Sequence, residues 1–79
     1  MNKADARKPL AGENLAGKIC FCALGTLGVV KEKKSDGTWI GRRVFDTARR
    51  WESKQPRVVA ESIDNFAVAF AEMLRQAIR

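Results

Sequence analysis

From Ser62 onward the hydrophobic positions recur with the period of a helix. At 100° per residue, Met73, Phe66, Ala77, Phe70, Ile63, Leu74, Ala67, Ile78 and Ala71 fall within about 160° of arc. Asp64, Asn65, Glu72, Arg75, Gln76 and Arg79 take the other side, where only Val68 and Ala69 are apolar. Ser62 is a suitable N-cap, because its hydroxyl can accept one of the N–H groups left free in the first turn. Asp64 early and Arg75 and Arg79 late suit the helix dipole. The pattern predicts one amphipathic helix over residues 62–78, and so wide an apolar face must lie on something.

Upstream the period changes from that of a helix to that of strands. Lys18 to Leu24 alternates Ile19, Phe21 and Ala23 with Cys20, Cys22 and Leu24. Both faces are apolar, so this strand is predicted to be central or covered on both sides. Gly25-Thr26 is a turn. Leu27-Gly-Val-Val-Lys-Glu-Lys-Lys follows as a strand that runs out of the core into solvent. Ser35-Asp36-Gly37 is a hairpin signal, since Asp-Gly suits a turn with positive φ. Thr38 to Asp46 returns as a third strand, with Gly41 marking a bulge or a bend. Thr47 to Gln55 reads as a loop plus a short strand. Pro56-Arg-Val-Val-Ala is the last strand and leads into the Ser62 cap. Residues 1–14, broken by Pro9 and Gly12 and carrying scattered charges, read as a flexible N-terminal arm. Residues 15–79 then form a single domain, with strands over 15–60 and the helix over 62–78. The fold class expected is α+β: a small antiparallel sheet or barrel of four or five strands packed by one C-terminal helix.

The Leu15-Ala-Gly-Lys-Ile entry, the Leu27-Gly-Val-Val strand, the Asp36-Gly37 hairpin, the Trp39-bearing return strand and the closing Pro56-Arg-Val-Val together resemble a small SH3-like barrel. The resemblance covers about residues 15–60 and implies five short strands around one core, with the helix capping an open end. Members of that class that bind methyl-lysine use an aromatic cage. This chain has no tyrosine and six aromatic residues in all, some of which the core needs, so a cage is not expected.

Length and charge narrow the function. Seventy-nine residues allow one small core. The charged start lacks the apolar centre of a signal peptide, and Ile19 to Val30 is too short and too interrupted to span a bilayer. A cytoplasmic, non-membrane protein is expected. Cys20 and Cys22 are the only cysteines and the chain has no histidine. Neighbours on one strand face form a disulfide badly, and zinc needs four ligands. Small buried apolar residues are the expected role, although two cysteines from each of two chains remain an alternative zinc set. No catalytic residue, metal or cofactor is assigned: Ser-His and Cys-His pairs are excluded, and none of the carboxylates forms an acid/base pair by spacing. The chain reads as a binding protein rather than an enzyme.

The net charge of +6 is concentrated. Residues 31–57 hold nine cations against four carboxylates, net +5, whereas residues 58–79 sum to −1. With a sequence pI near 9.9, this argues for an acidic partner. The candidate partner-binding residues are Lys31, Lys33, Lys34, Trp39, Arg42, Arg43, Arg49, Arg50 and Trp51. Lysine and arginine neutralise phosphates, and an exposed indole can stack on a base. Arg42 and Arg43 are consecutive on a strand and point to opposite faces, so they cannot share one flat surface. In size, charged surface and lack of a catalytic set the chain also resembles small phage proteins such as anti-CRISPR inhibitors, a likeness of build that no residue motif carries. It implies a phage-type inhibitor, a monomer or weak homodimer, that docks on a host defence nucleoprotein complex in the host cytoplasm and blocks nucleic-acid or subunit access. The alternative expectation is a small basic nucleic-acid-binding accessory domain.

Overall fold

The structure, a computed structural model, describes residues 6–78 except for the side chains of Met73, Ala77 and Ile78. Five strands precede one helix: β1 (Ile19–Phe21), β2 (Leu27–Lys33), β3 (Trp39–Arg43), β4 (Asp46–Ser53), β5 (Arg57–Ala60) and α1 (Ile63–Ile78). They form one antiparallel sheet in the order β4-β3-β2-β1-β5. The α+β class is therefore as expected. The order is compatible with the SH3-like resemblance, but among the described residues no hydrogen-bonded ladder joins β4 to β5.

β1 sits between β2 and β5 and is buried along its whole length, which is why both of its faces are apolar. On one face Cys20 and Cys22 join Leu15, Val30, Trp51 and Val58 in the core cluster. Ile19 and Phe21, on the other face, are buried too. β1 ends earlier than its apolar run. Cys22 N–H donates to the Thr26 carbonyl at 3.0 Å and Gly25 N–H to the Cys22 carbonyl at 2.9 Å, closing a turn with Gly25 at φ 84°.

The Asp36-Gly37 turn forms as expected. Gly37 takes φ 90°, Lys34 N–H donates to the Thr38 carbonyl at 2.8 Å, and Asp36 Oδ1 accepts from Thr38 N–H at 2.9 Å. The third strand is shorter than its pattern, because the chain turns at Val44-Phe45. β4 is correspondingly longer than a loop plus a short strand. As an edge strand it exposes five consecutive residues, Asp46 to Arg50, before Trp51 turns inward. Such a polar run carries no inward–outward signal.

Two contacts bind β2 to its neighbours. The indole of Trp51 lies across Gly28, where an added Cβ would stand 2.2 Å from Trp51 Cγ, and its Nε1–H donates to the Thr26 carbonyl at 2.8 Å. A Cβ on Gly41 would stand 1.9 Å from the Val29 carbonyl oxygen. Opposite Gly41 the register slips: Val30 pairs with Gly41, Glu32 with Ile40 and Lys33 with Trp39, so Lys31 is the extra residue of a β-bulge. The bend expected at Gly41 is this bulge.

Ser62 caps α1. Its Oγ accepts from Asn65 N–H at 3.1 Å, and Phe66 N–H donates to the Ser62 carbonyl at 3.1 Å. The helix packs against β5, and among its described side chains Phe66 is the buried one, 4% exposed. Phe66 and Phe70 stack at 5.8 Å, and Phe45 from the β3–β4 turn meets them at 6.3 and 5.7 Å. The apolar arc is only partly covered, since Ile63 and Leu74 stay nearly half exposed.

Candidate polyanion-binding groove

The residues singled out from the sequence separate into two groups in space and four that join neither. Lys33 and Trp39 are cross-strand partners at the turn end of the hairpin, with Lys33 Nζ 5.6 Å from the centre of the Trp39 ring system. The bulge makes this possible. Strict alternation from Val30 would carry Glu32 to the Trp39 face. The extra residue shifts the parity, so Glu32 joins Ile40 on the other face and Lys33 comes over the indole.

Around Trp39 the fold assembles a hollow of about 420 Å³ lined by Lys8, Pro9, Lys33, Gly37, Trp39, Lys54, Gln55, Pro56 and Arg57. Four of these residues are cationic and none is acidic. Among the described residues Lys8, Lys33, Lys54 and Arg57 form no ion pair within 4.0 Å. Asp36 in the hairpin turn feels the charge of Lys54. Its hydrogen bond from Thr38 lowers its pKa, and Lys34 and Lys54 lower it further. Lys8, Lys54 and Arg57 are not among the residues expected from the sequence, because they come from segments far apart in the chain. The one local signal is that each proline adjoins a cation, as Lys8-Pro9 and Pro56-Arg57.

Each lining segment is held by its own backbone bonds. Ser53 Oγ accepts from Gln55 N–H at 3.2 Å and shapes the turn that presents Lys54. Arg57 Nη1 donates to the Gln55 and Pro56 carbonyls, each at 3.3 Å. Arg7 exchanges two backbone hydrogen bonds with Val58, at 3.0 and 2.8 Å, which sets Lys8-Pro9 beside Pro56. Residues 6–14 of the segment read as an arm are thus joined to the sheet, while residues 1–5 lie outside the described part of the chain. Side chains reinforce the join. Glu13 accepts both Arg7 Nη groups at 2.9 and 2.7 Å, Lys18 Nζ at 2.5 Å and Leu10 N–H at 2.9 Å. Glu61 accepts Arg7 Nη2 at 2.7 Å and Lys18 Nζ at 2.9 Å. The hydrogen bonds from Arg7 and then Lys18 hold Glu13 well below the usual carboxylate range and lower Glu61, and the glutamates in turn raise Arg7 and Lys18.

The second group lies on the other face of the hairpin. Lys31, Arg42 and Arg50 line a shallow hollow of about 250 Å³ with Glu32, Ile40 and Gly41. Arg42 and Arg50 are directly opposite across β3 and β4, and Arg50 keeps a loose 3.6 Å pair with Glu52. The remaining four residues, Lys34, Arg43, Arg49 and Trp51, line neither hollow. Trp51 is a correction: at 2% exposure it belongs to the core and cannot meet a partner. Arg49 pairs with Asp46 at 2.9 Å, Arg43 is half buried with its Nε unpartnered, and Lys34 projects from the hairpin turn.

Both cysteines are free thiols buried in the core. Burial pushes Cys20 up to about 11. At Cys22 burial also raises the pKa, but hydrogen bonds from the backbone at Thr26 and Leu24 outweigh it and leave the thiol lowered. Among the described residues no group of three or more His, Cys, Asp or Glu is placed to hold a metal, and no helix is long and apolar enough to cross a membrane. No family model, no curated protein and no solved structure matches the chain.

Proposed function

We propose that this chain is a docking domain that binds a polyanionic partner through the Trp39 groove and acts by occupying that partner's surface rather than by transforming it. The observation that carries the reading is the lining of the groove: four cations from three segments of the chain converge there with no acidic residue among them. Unpaired cations brought together repel one another, and a fold keeps such an arrangement at some expense to itself. An acidic ligand removes the repulsion and gains the attraction. The in-register Arg42–Arg50 pair on the opposite face supports the same reading, because like charges directly opposite destabilise a sheet.

The partner class is nucleic acid or the acidic face of a nucleoprotein complex. Blocking access to such a complex, in the manner of a small inhibitor, is a task that a single basic domain of this size can perform by steric means. The test is retention on a polyanionic resin at low salt. The wild-type chain should elute late, and Lys33→Glu with Lys54→Glu should elute clearly earlier at an unchanged melting temperature. Equal retention of the two proteins would refute the groove. Capture of one protein from nuclease-treated lysate would identify a protein target, and capture that disappears on nuclease treatment would identify a nucleic acid.

A further inference from the structure

We infer that the Trp39 groove takes single-stranded nucleic acid, with one base stacked on the Trp39 indole in place of the Lys33 ammonium and the adjoining phosphates held by Lys8, Lys33, Lys54 and Arg57. The inference rests on the polyanion-binding reading above and narrows it to one class of ligand.

The indole argues for a base. Trp39 is half buried: it packs against the core and also lines the groove, with Lys33 Nζ 5.6 Å from its ring centre. A base has a larger π face than an ammonium has contact area, and base–aromatic stacking is the stronger of the two contacts. Lysine has a flexible four-carbon stem, so Lys33 can leave the ring and still reach the phosphate next to the stacked base. The exchange keeps both partners satisfied. An acidic peptide offers carboxylates to the cations but nothing of that shape to the indole.

The choice of cations points the same way. Three of the four are lysines, point charges on flexible stems that can follow the phosphates of a strand without a fixed geometry. The single arginine, Arg57, is held by Nη1 on the Gln55 and Pro56 carbonyls, which leaves Nε and Nη2 to meet a phosphate. Pro9 and Pro56 add rigid apolar walls without N–H donors. A duplex keeps its bases stacked inside, so only an unpaired strand can lay one on Trp39. Beyond the groove, Lys31, Arg42 and Arg50 offer further phosphate contacts on the other face of the hairpin.

The experiment uses the full chain and follows tryptophan fluorescence. Trp51 is enclosed in the core, so a change on binding reports Trp39. Three probes of equal charge are titrated at low salt: oligothymidylate, the same oligomer without bases, and polyglutamate. Oligothymidylate should quench the emission and bind about tenfold more tightly than the abasic oligomer, the scale of one stacked base. Its affinity should fall with salt with a logarithmic slope of about −3 for four phosphate contacts. Lys8→Gln with Lys54→Gln should reduce that slope by about half while the quenching persists. Trp39→Phe, which keeps an aromatic ring in place, should weaken oligothymidylate and leave the abasic oligomer unchanged. Equal binding of the first two probes without quenching overturns the stacking inference and leaves the polyanion reading standing, as does a preference for polyglutamate. If none of the three binds, both fall.

Discussion

Arg7 and Lys8 are neighbours in the chain with opposite fates. Arg7 is enclosed by carboxylates: Glu13 grips it with two hydrogen bonds, Glu61 adds a third, and Lys18 completes a cluster of two positive and two negative groups. Lys8, one residue on, faces a hollow in which every charged lining residue has its own sign. The contrast shows that the net charge of a segment says little about what its cations do. In the first region positive charge is consumed internally and fastens the N-terminal segment to the start of α1. In the second it is left over. The two are also coupled, since the fastening of Arg7 is what sets Lys8 at the rim of the groove.

The comparison breaks most sharply if the unmatched cations prove dispensable. Replacing Lys33 and Lys54 together by glutamate should weaken binding to a polyanion on the order of 100-fold at low salt, with the thermal melt almost unmoved. A comparable loss from reversing Arg49 and Arg75, two exposed cations outside the groove, would mean that only net charge counts and that the groove has no special part in it.

Glu13→Gln tests the matched region. It leaves Arg7 and Lys18 with one carboxylate between them, so the melting temperature should drop by several degrees and limited proteolysis should open the segment before Leu15. Polyanion affinity should fall only a few-fold, through the looser Lys8. A loss of affinity as large as that of the lysine reversals, at an intact melt, would place Glu13 in the binding surface instead.

Acid should reveal the same cluster. Glu13 and Glu61 titrate below their ordinary values in the folded chain, so the unfolded chain takes up protons first as the pH falls. Their contribution is complete above the usual glutamate range, near 4.3, and is lost as the pH drops through the lowered folded values. Melting curves from about pH 6 to pH 2 should therefore decline below pH 4 for the wild type and less steeply for Glu13→Gln. Parallel declines would show that Glu13 is not the group responsible.

The smallest effect concerns the far face of the hairpin. Arg42→Glu turns an in-register repulsion with Arg50 into an attraction and should stabilise the fold by about 0.2–1 kcal/mol in denaturant titrations. Destabilisation would mean that the two arginines are not opposed.

Much of the architecture follows from local chemistry and was therefore legible. Asp36-Gly37 turns the hairpin, Ser62 caps the helix, and the doubly apolar β1 is central. What escaped is what depends on parity and on distance. Past Val30 the alternation of β2 is reset by the Lys31 bulge, so which of Glu32 and Lys33 meets Trp39 is not written in the spacing. β4 exposes a polar run, and nothing in Arg49-Arg50-Trp51 says that the indole turns inward while Arg50 turns out. Lys8, Lys54 and Arg57 meet at Trp39 only because Arg7 pairs with Val58 and the chain reverses between Ser53 and Pro56. The charge count over residues 31–57 includes Lys54 and Arg57, but nothing local brings them, or Lys8, to Trp39.

Gly28 and Trp51 claim the same space from two strands, with the indole where a Cβ on residue 28 would stand. The two positions are free to drift only together. While position 51 keeps its indole, no other residue fits at 28, and a smaller side chain at 51 leaves a hole unless 28 grows into it. A library randomised at both sites and selected for folding should return no single replacements at 28. Its survivors away from the parental pair should join a small aliphatic residue at 51 to alanine or serine at 28, a signature that sequencing would read directly.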